Sequence, residues 1–346
     1  MNGEANIMFH RIDRPRDRQR ARERAAMLDH GRAVLTLEAD ALAQMAQALD
    51  ESFARAVELL LAATGRVIVS GMGKSGHIAR KMAATFSATG IPAFFVHPAE
   101  AAHGDLGMLS PDDILVVLSN SGATPEMLPI IDHARLLGCP IIAISAQRRS
   151  PMMQAASACL VLPRLREACP ANISPTTSTT AMLALGDALA IAAMRARHVS
   201  REQLGRLHPG GSIGTRFLPI ARIMHRDARL PLVRADAAMH DVIVTMTEKS
   251  FGIAGVLDAA GRLIGTITDG DLRRRIDGLL GQTAAQVMTR TPRTIRDDAY
   301  AEDAFEMLTA HRITALFVMD SAAPARPVGL VHVHDLNRLG LTAPAD

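Results

Sequence analysis

Residues 66–82, RVIVSGMGKSGHIARKM, carry the pattern that decides the fold of this chain. An apolar run at 67–69 meets a glycine loop at 71–76, and a segment with helical spacing follows. This order predicts a buried strand, a tight turn and a helix whose first backbone N–H groups can hold a phosphate. The loop matches G-x-G-x-x-G, although such glycines can also serve only to turn the chain.

Two nucleotide-binding interpretations of this loop differ in what they require nearby. The triphosphate pattern G-x-x-x-x-G-K-[ST] needs a glycine at position 68, which is Ile68, so that interpretation fails. The dinucleotide pattern needs an acidic residue at the end of the next strand, predicted over 93–96. That strand runs into His97, and the first acidic residue is Glu100, which weakens the dinucleotide interpretation.

Strands and helices continue to alternate beyond the loop and predict an α/β fold. Apolar, strand-like runs lie at 66–70, 93–96, 114–119, 141–145 and 159–162. Helical segments lie at 76–89, 124–137, 152–158 and 178–197, and two more helices lie within 32–64. Continuous apolar strands between helices indicate a parallel sheet covered on both faces, whose ligands bind outside the carboxyl ends of the strands.

A second polar loop, SNSGATPE at 119–126, follows the predicted strand at 114–119. It places hydroxyl groups and a glycine at the start of another helix. Helix N-capping explains one hydroxyl but not Ser119, Ser121 and Thr124 together. Two such loops at the carboxyl ends of nearby strands fit a small sugar phosphate better than a dinucleotide.

A repeat of 64 residues appears after HPGG at 208–211. GTITDGDL at 265–272 aligns with GLVHVHDL at 329–336, and Met224 aligns with Met288. Each copy predicts the order helix, strand, turn, strand, helix, with first strands at 254–257 and 315–319. Two copies of a unit too small to bury its own face predict one pseudo-symmetric module, with a domain boundary near 210–220.

The composition bounds the class of protein. The 346 residues, 48% hydrophobic and 21% charged, fit two domains of ordinary size. No apolar run reaches the ~20 residues of a membrane span and no signal-peptide pattern is present, which predicts a cytoplasmic chain.

A net charge of +3 and 3% aromatic residues argue against a nucleic-acid partner. The arginine-rich residues 1–30 predict a disordered leader, and the spacing of the three cysteines predicts neither a disulfide nor a metal site.

The two polar loops resemble the sugar isomerase (SIS) domain, and the repeated half resembles a pair of CBS modules. The motifs FVHPAEAAHGDLG at 95–107, REACP at 166–170 and HPGG at 208–211 extend the resemblance to the arabinose 5-phosphate isomerase family, over roughly residues 35–340. One departure is Ala123, where the family often has a second glycine. The resemblance implies a SIS domain over 31–210, with a flavodoxin-like parallel five-stranded sheet flanked by helices, and α+β CBS modules over 218–281 and 282–346.

The family interconverts D-ribulose 5-phosphate and D-arabinose 5-phosphate through an enediol, a first step towards the Kdo sugar of lipopolysaccharide or capsule. The resemblance implies four catalytic residues, which are Lys74, Glu126, Glu167 and His208. Further candidates for substrate contact are His97, His103, Gly73, Ser75, Ser119, Ser121, Thr124 and Arg164.

The chemistry of an aldose–ketose isomerisation suggests roles for some of these residues. Glu126, beside the second loop, is the best candidate for the base at C1 and C2, although a glutamate in a first turn also suits the helix dipole. Lys74, one of only three lysines among 38 basic residues, could stabilise the enediolate or hold the phosphate. His208 could shuttle a proton between the two oxygens, and a neighbouring subunit could bring it into the site.

The expected partners are small molecules and further copies of the chain, as a homotetramer, with no nucleic acid and no membrane. The histidines have no short metal-ligand spacing, so we expect no required cofactor, and zinc only as an inhibitor at His97. Thr268 and Asp271 keep the [ST]-x-x-D spacing that CBS modules use for ribose, which predicts a nucleotide or CMP-sugar effector. The CBS-like pair could also serve only assembly.

Two other functions remain open at this point. One is a non-catalytic SIS sensor of a sugar phosphate, a class often fused to DNA-binding modules, although no helix-turn-helix signal precedes residue 35. The other is an isomerase of a different sugar phosphate, such as a hexulose phosphate.

Overall fold

The chain forms two compact units, and the computed structural model describes residues 15–342. The first unit ends at Val199 and the second begins at Ser200. This division lies earlier in the chain than the domain boundary predicted near 210–220.

The reason for the earlier boundary lies in two short helices, Arg201–Leu207 and Ser212–Arg216, which belong to the second unit. Arg201 forms an ion pair of 2.9 Å with Asp303, and Arg216 forms one of 3.3 Å with Glu302. These contacts connect both helices to a helix of the repeated half.

The first unit contains a five-stranded sheet and seven described helices. The strands are β1 (Val67–Gly71), β2 (Ala93–Phe95), β3 (Ile114–Leu118), β4 (Ile141–Ser145) and β5 (Ala158–Val161). The helices are α1 (Pro15–Gln47), α2 (Glu51–Ala62), α3 (Gly73–Ala88), α4 (Pro98–Ala101), α5 (Leu128–Leu137), α6 (Pro151–Gln154) and α7 (Thr177–Ala196). All five predicted strands are confirmed, to within one residue at each end.

The sheet is parallel throughout, in the order β2-β1-β3-β4-β5. This is the flavodoxin-like order that the resemblance implied, and its topological switch point lies between β1 and β3. The carboxyl ends of these two strands are neighbours, because Gly71 pairs with Leu118. The loops that follow β1 and β3 therefore start side by side.

Helices cover both faces of the sheet, which explains the continuous apolar runs. Every residue of β1, β3 and β4 is buried. Val67 and Val69 face a core shared with α2, α3 and α7, whereas Ile68 faces a second core shared with α5 and α6. A strand buried on both faces has no polar positions to alternate with apolar ones.

The N-terminal helix corrects the prediction of a disordered leader. Residues 15–30 belong to α1, whereas residues 1–14 of the predicted leader lie outside the described residues. Alanine, arginine, glutamate and glutamine all favour helix, so a charged composition without apolar periodicity did not exclude one. Side-chain pairs one turn apart, such as Gln19 with Glu23 at 3.1 Å, support it. Packing against the core starts only near Ala41 and Met45.

Helix α7 is the one described helix that is long and apolar enough to cross a membrane by length and composition. It packs against α1, α2 and α3, and half of its apolar window is buried inside the unit. At Gly186 it approaches α3 so closely that a Cβ there would collide with Met82. This packing makes α7 a core helix of the first unit.

The second unit contains two small sheets and short helices. The helices are α8 (Arg201–Leu207), α9 (Ser212–Arg216), α10 (Ile220–Ile223), α11 (Met239–Lys249), α12 (Asp269–Arg274), α13 (Ala284–Val287), α14 (Ala301–His311) and α15 (Val333–Arg338). The strands are β6 (Leu232–Arg234), β7 (Ile253–Leu257), β8 (Leu263–Thr268), β9 (Thr289–Arg290), β10 (Thr294–Arg296), β11 (Ala315–Met319) and β12 (Pro327–His332). The sheet orders are β6-β7-β8-β9 and β10-β11-β12.

The predicted repeat is confirmed, because α11-β7-β8-α12 matches α14-β11-β12-α15. The two modules nevertheless exchange the short segments at their starts, so that each segment packs in the core of the other module. Met224 packs on Gly329 in the core of the second module, and Met288 packs on Gly265 in the core of the first. Each core therefore takes its methionine from across the sequence boundary between the modules predicted at 218–281 and 282–346.

Candidate functional site

The first loop of the site joins β1 directly to α3. The helix begins at Gly73, three residues earlier than predicted, so Lys74 and Ser75 lie in its first turn. Gly73 has a φ of +57°, and a Cβ at Gly76 would lie 2.5 Å from the carbonyl oxygen of Gly71. These glycines make the turn tight enough to aim the first N–H groups of α3 beyond the sheet edge, where an anion is stabilised. The side chain of Lys74 is exposed there.

The second loop is a network of hydroxyl groups after β3. Ser119 Oγ lies 2.8 Å from Thr124 Oγ1 and 3.4 Å from Ser121 Oγ. Ser119 Oγ also accepts a hydrogen bond of 3.0 Å from the N–H of Gly122, whose φ is +62°. The three hydroxyls that N-capping could not explain therefore lie together. We name Ser119, Ser121 and Thr124 the hydroxyl loop.

Sequence reasoning missed one residue that supports this loop. Ser145, the last residue of β4, is fully buried, and its Oγ donates a hydrogen bond of 3.1 Å to the carbonyl of Asn120. Its Oγ also accepts from the N–H of Gln147 at 3.1 Å. The available signal was a serine that ends an otherwise apolar strand next to β3.

Glu126 lies directly after the hydroxyl loop, but not in a regular α-helix. The predicted helix at 124–137 divides into a single 3₁₀ turn, Pro125–Met127, and α5. Pro129 lies in the first turn of α5 and Pro125 opens the 3₁₀ turn, so the two prolines interrupt the continuous α-helical hydrogen bonding. The side chain of Glu126 is exposed to solvent.

The segment after β2 brings two histidines to the same edge of the sheet. Helix α4 packs against the 3₁₀ turn that carries Glu126. His97 caps α4, with its Nδ1 accepting a hydrogen bond of 3.3 Å from the N–H of Ala99. His103 is exposed just beyond α4, before the turn at Gly104, whose φ is +133°. The β2 loop thus lies next to Glu126.

Glu167 is buried, which the sequence did not indicate. One carboxylate oxygen accepts hydrogen bonds from the N–H of Thr176 at 2.8 Å, from its hydroxyl at 3.2 Å and from the N–H of Ser178 at 3.3 Å. Burial raises the pKa of this carboxyl, but the hydrogen bonds from Ser178 and Thr176 outweigh it, and the pKa lies below its ordinary value. Glu167 is therefore an ionised anchor of the start of α7, and a weak base.

Two further predicted residues belong to neither loop. Arg164 is exposed in the segment after β5, on a cleft of about 710 Å³ that also includes Asn120. His208 belongs to the second unit, where its Nδ1 lies 2.9 Å from the carbonyl oxygen of Leu204. The first unit therefore contains all of the predicted catalytic and substrate-binding residues except His208.

No metal site is evident in the part of the chain that the structure describes. Within residues 15–342 no three histidine, cysteine, aspartate or glutamate side chains converge as a metal site. One ring nitrogen of His97 accepts a hydrogen bond from the backbone N–H of Ala99. The predicted zinc inhibition at His97 stays a prediction.

The second unit has its own cleft, of about 780 Å³, between the repeated motifs. Thr268 and Asp271, the two residues of the [ST]-x-x-D spacing, both line it. Asp271 accepts hydrogen bonds of 2.7 Å from Thr268 Oγ1 and from the Arg274 guanidinium. Burial raises the pKa of the Asp271 carboxyl, but these hydrogen bonds outweigh it and keep the pKa below its ordinary value.

The matching position of the second repeat is different. Asp335 lies 2.9 Å from His225 Nε2, and His332 takes the place of the threonine. The ring of Phe251 lies between His225 and His332, with centroid distances of 4.7 and 6.1 Å. The two halves of the cleft are therefore not equivalent.

Comparisons with known proteins place both units in known domain families. The model of the SIS domain matches residues 60–192, and the model of the CBS domain matches residues 220–278 and 284–341. A crystal structure of E. coli CFT073 c3406 in complex with A5P matches with a TM-score of 0.52 and 34% identity, over 54% of this chain and 98% of that one. The described geometry of the first unit is thus that of a SIS domain.

Relatives of full length combine the two domain types. Arabinose 5-phosphate isomerase KdsD of Pseudomonas aeruginosa is 44% identical over 309 residues, which cover 88% of this chain and 94% of the relative. Arabinose 5-phosphate isomerase KpsF of Escherichia coli is also 44% identical, over 88% of this chain and 93% of the relative. From its SIS domain to its second CBS motif, this chain belongs to the arabinose 5-phosphate isomerase family.

Proposed function

We propose that this chain interconverts D-ribulose 5-phosphate and D-arabinose 5-phosphate through an enediolate. One observation carries the proposal: two anion-binding loops start side by side at the switch point, and Lys74 and Glu126 are exposed in the turns that follow them. The names of relatives that are 44% identical over most of both chains support the same reaction.

The hydroxyl loop binds the phosphate of the substrate. Its three hydroxyls are donors, and Gly73 and Ser75 add the first turn of α3 from the neighbouring strand. The three terminal oxygens of a phosphate monoester each accept hydrogen bonds. They need more donors than one helix terminus provides. The sugar then extends from the hydroxyl loop towards Glu126 and Lys74.

Glu126 moves the proton between the two carbon atoms. As a carboxylate it takes a proton from C1 of ribulose 5-phosphate and returns one to C2, which gives the aldose. Lys74 supplies a positive charge that stabilises the negative charge on the oxygens of the enediolate intermediate. A proton must also pass between O1 and O2, and His208, from this chain or a neighbouring subunit, is the group we assign to that transfer.

Three residues complete the site in other ways. His97 and His103 border it from the loop after β2 and contact the sugar hydroxyls. Glu167 acts through its contacts with Thr176 and Ser178, because these fix the start of α7 at the sheet edge. The chemistry needs no redox step and no cofactor, and zinc bound at His97 would inhibit it.

The wider setting of this reaction is also part of the proposal. The chain works in the cytoplasm as a homotetramer, on a small sugar phosphate, with neither nucleic acid nor membrane as a partner. The arabinose 5-phosphate that it forms enters the synthesis of Kdo for lipopolysaccharide or capsule.

A substrate panel tests this function against its alternatives. We expect conversion of ribulose 5-phosphate to arabinose 5-phosphate, with kcat/KM about tenfold to a hundredfold above that for fructose 6-phosphate, because one additional carbon unit in a binding site is worth about 1–3 kcal/mol. A better kcat/KM for the hexulose phosphate would identify an isomerase of another sugar phosphate. Binding of sugar phosphates without conversion of either would identify a sensor.

The CBS cleft binds a nucleotide or a CMP-sugar as an effector. Thr268 and Asp271 line it, and four arginines contribute positive charge for phosphate, Arg273, Arg274, Arg293 and Arg312. We expect an effector at a hundred times its Kd to stabilise the second unit by about 2.7 kcal/mol, and the Asp271→Asn variant to respond less. A thermal-shift series with adenine nucleotides, CMP and CMP-sugars measures this. If no ligand in the series changed the melting temperature, the CBS pair would serve assembly only.

A further inference from the structure

A cleft of about 710 Å³ lies at the same sheet edge as the reaction site, beyond β4 and β5. Its walls are the segments 146–149, after β4, and 161–165, including the end of β5. Asn120 lines it too, and Asn120 stands between two members of the hydroxyl loop, Ser119 and Ser121. The cleft is therefore a neighbour of the proposed phosphate site, on the side away from β1 and Lys74.

The charge of this cleft is uniformly positive. Arg148, Arg149 and Arg164 line it, and no aspartate or glutamate does. Over the described range 15–342 none of these three side chains has an ion pair or a hydrogen bond to a protein group, whereas Arg66 and Arg201 each pair with a carboxylate. Three unpaired like charges around one concavity repel one another, and a bound anion removes that cost.

The chemistry of arginine narrows the class of ligand. Its planar guanidinium binds phosphate and carboxylate through paired hydrogen bonds. The cleft volume lies within the range of small-molecule sites, about 300–1,000 Å³. Ser178, whose N–H holds Glu167, also lines the cleft, so an occupant touches the same helix start that Glu167 anchors.

We propose that the cleft lined by Arg148, Arg149 and Arg164 is a second anion-binding site, which takes a phosphate monoester independently of the hydroxyl loop. The proposal rests on the proposed function in one respect, namely that the hydroxyl loop holds the phosphate of the substrate. It gives the SIS domain a site for a second phosphorylated small molecule next to the reaction site.

The test is calorimetric titration with inorganic phosphate at constant ionic strength. The starting protein is Ser121→Ala/Thr124→Ala, which removes two donors of the hydroxyl loop. We expect this variant to keep a phosphate-binding event, and the further changes Arg148→Gln, Arg149→Gln and Arg164→Gln to weaken it by about tenfold or more. A matched control adds Arg20→Gln, Arg22→Gln and Arg24→Gln instead, which removes the same charge from an exposed part of α1 and should leave the affinity unchanged.

Two results would overturn the proposal. One is a hydroxyl-loop variant that binds no phosphate at millimolar concentrations, and the other is an arginine variant with the same affinity as its parent or as the α1 control. Phosphate titration reports on the cleft whether or not the wild type turns over a sugar phosphate. Failure of the proposed function would therefore appear in the substrate panel and not in this titration.

Discussion

The Glu126→Gln variant is expected to lose turnover by a factor of about 10²–10⁴ in kcat, while its KM for ribulose 5-phosphate changes little. The amide keeps the size of the side chain but cannot accept a proton from carbon. Because Glu126 is exposed, its replacement leaves no buried group unpaired and should not change the free energy of unfolding. The phosphate stays bound, since the hydroxyl loop is unchanged. Steady-state kinetics with both sugar phosphates measure the effect.

A matched control separates the loss of the base from the loss of a negative charge. Glu58→Gln removes an exposed glutamate of α2, whose partner is Arg55 at 3.2 Å, and should keep wild-type kinetics. If Glu126→Gln instead retained most of the activity, the base would have to be another group, and His103 and His208 would be the next candidates.

The Glu167→Gln variant is expected to lose about 1–3 kcal/mol in the free energy of unfolding of the first unit at neutral pH. The amide oxygen can still accept from Thr176 and Ser178, but the bonds lose their charge assistance. Denaturant unfolding at a series of pH values measures the loss.

The pH dependence of this loss has a definite sign. Burial raises the pKa of Glu167, the hydrogen bonds from Ser178 and Thr176 lower it by more, and the folded pKa lies below the ordinary value of 4.5. The carboxylate therefore contributes its stability above about pH 4.5 and loses it as the pH falls through the folded pKa. The difference between wild type and Glu167→Gln should be constant near neutrality and shrink in acid.

Asp113 offers a matched control at the opposite edge of the sheet. It is 1% exposed, lies just before β3, and accepts hydrogen bonds from the N–H groups of Arg66 at 2.7 Å and Ser110 at 2.9 Å. Asp113→Asn should lose stability with the same pH dependence, but should not change kcat of the folded protein. Glu167→Gln should change kcat as well, because it acts at the reaction edge. A loss of stability in Glu167→Gln that does not depend on pH would contradict the assignment of Glu167 as an ionised anchor.

Much of the first unit was predictable because its signals are local. Continuous apolar strands gave the parallel sheet, and the glycines at 71–76 and the hydroxyls at 119–124 marked the two strand ends that the switch point brings together.

The rest depends on contacts between distant residues, which composition and periodicity do not contain. The burial of Glu167 depends on Thr176 and Ser178, across a loop without periodicity. The sequence repeat aligns Met224 with Met288 but does not predict that each packs in the core of the other CBS module. The helix at 15–30 was missed because its residues favour helix through propensity and side-chain pairs, and not through an apolar face.

The proposed enediolate isomerisation takes place at the loops after β1 and β3. Incorporation of solvent deuterium at a carbon atom of the product tests it most directly. Metal-free protein is incubated with ribulose 5-phosphate in deuterated water, and the arabinose 5-phosphate is analysed by NMR. We expect arabinose 5-phosphate with deuterium at C2, because the proton returned by Glu126 exchanges with solvent. Failure of the folded, metal-free protein to form arabinose 5-phosphate would contradict it.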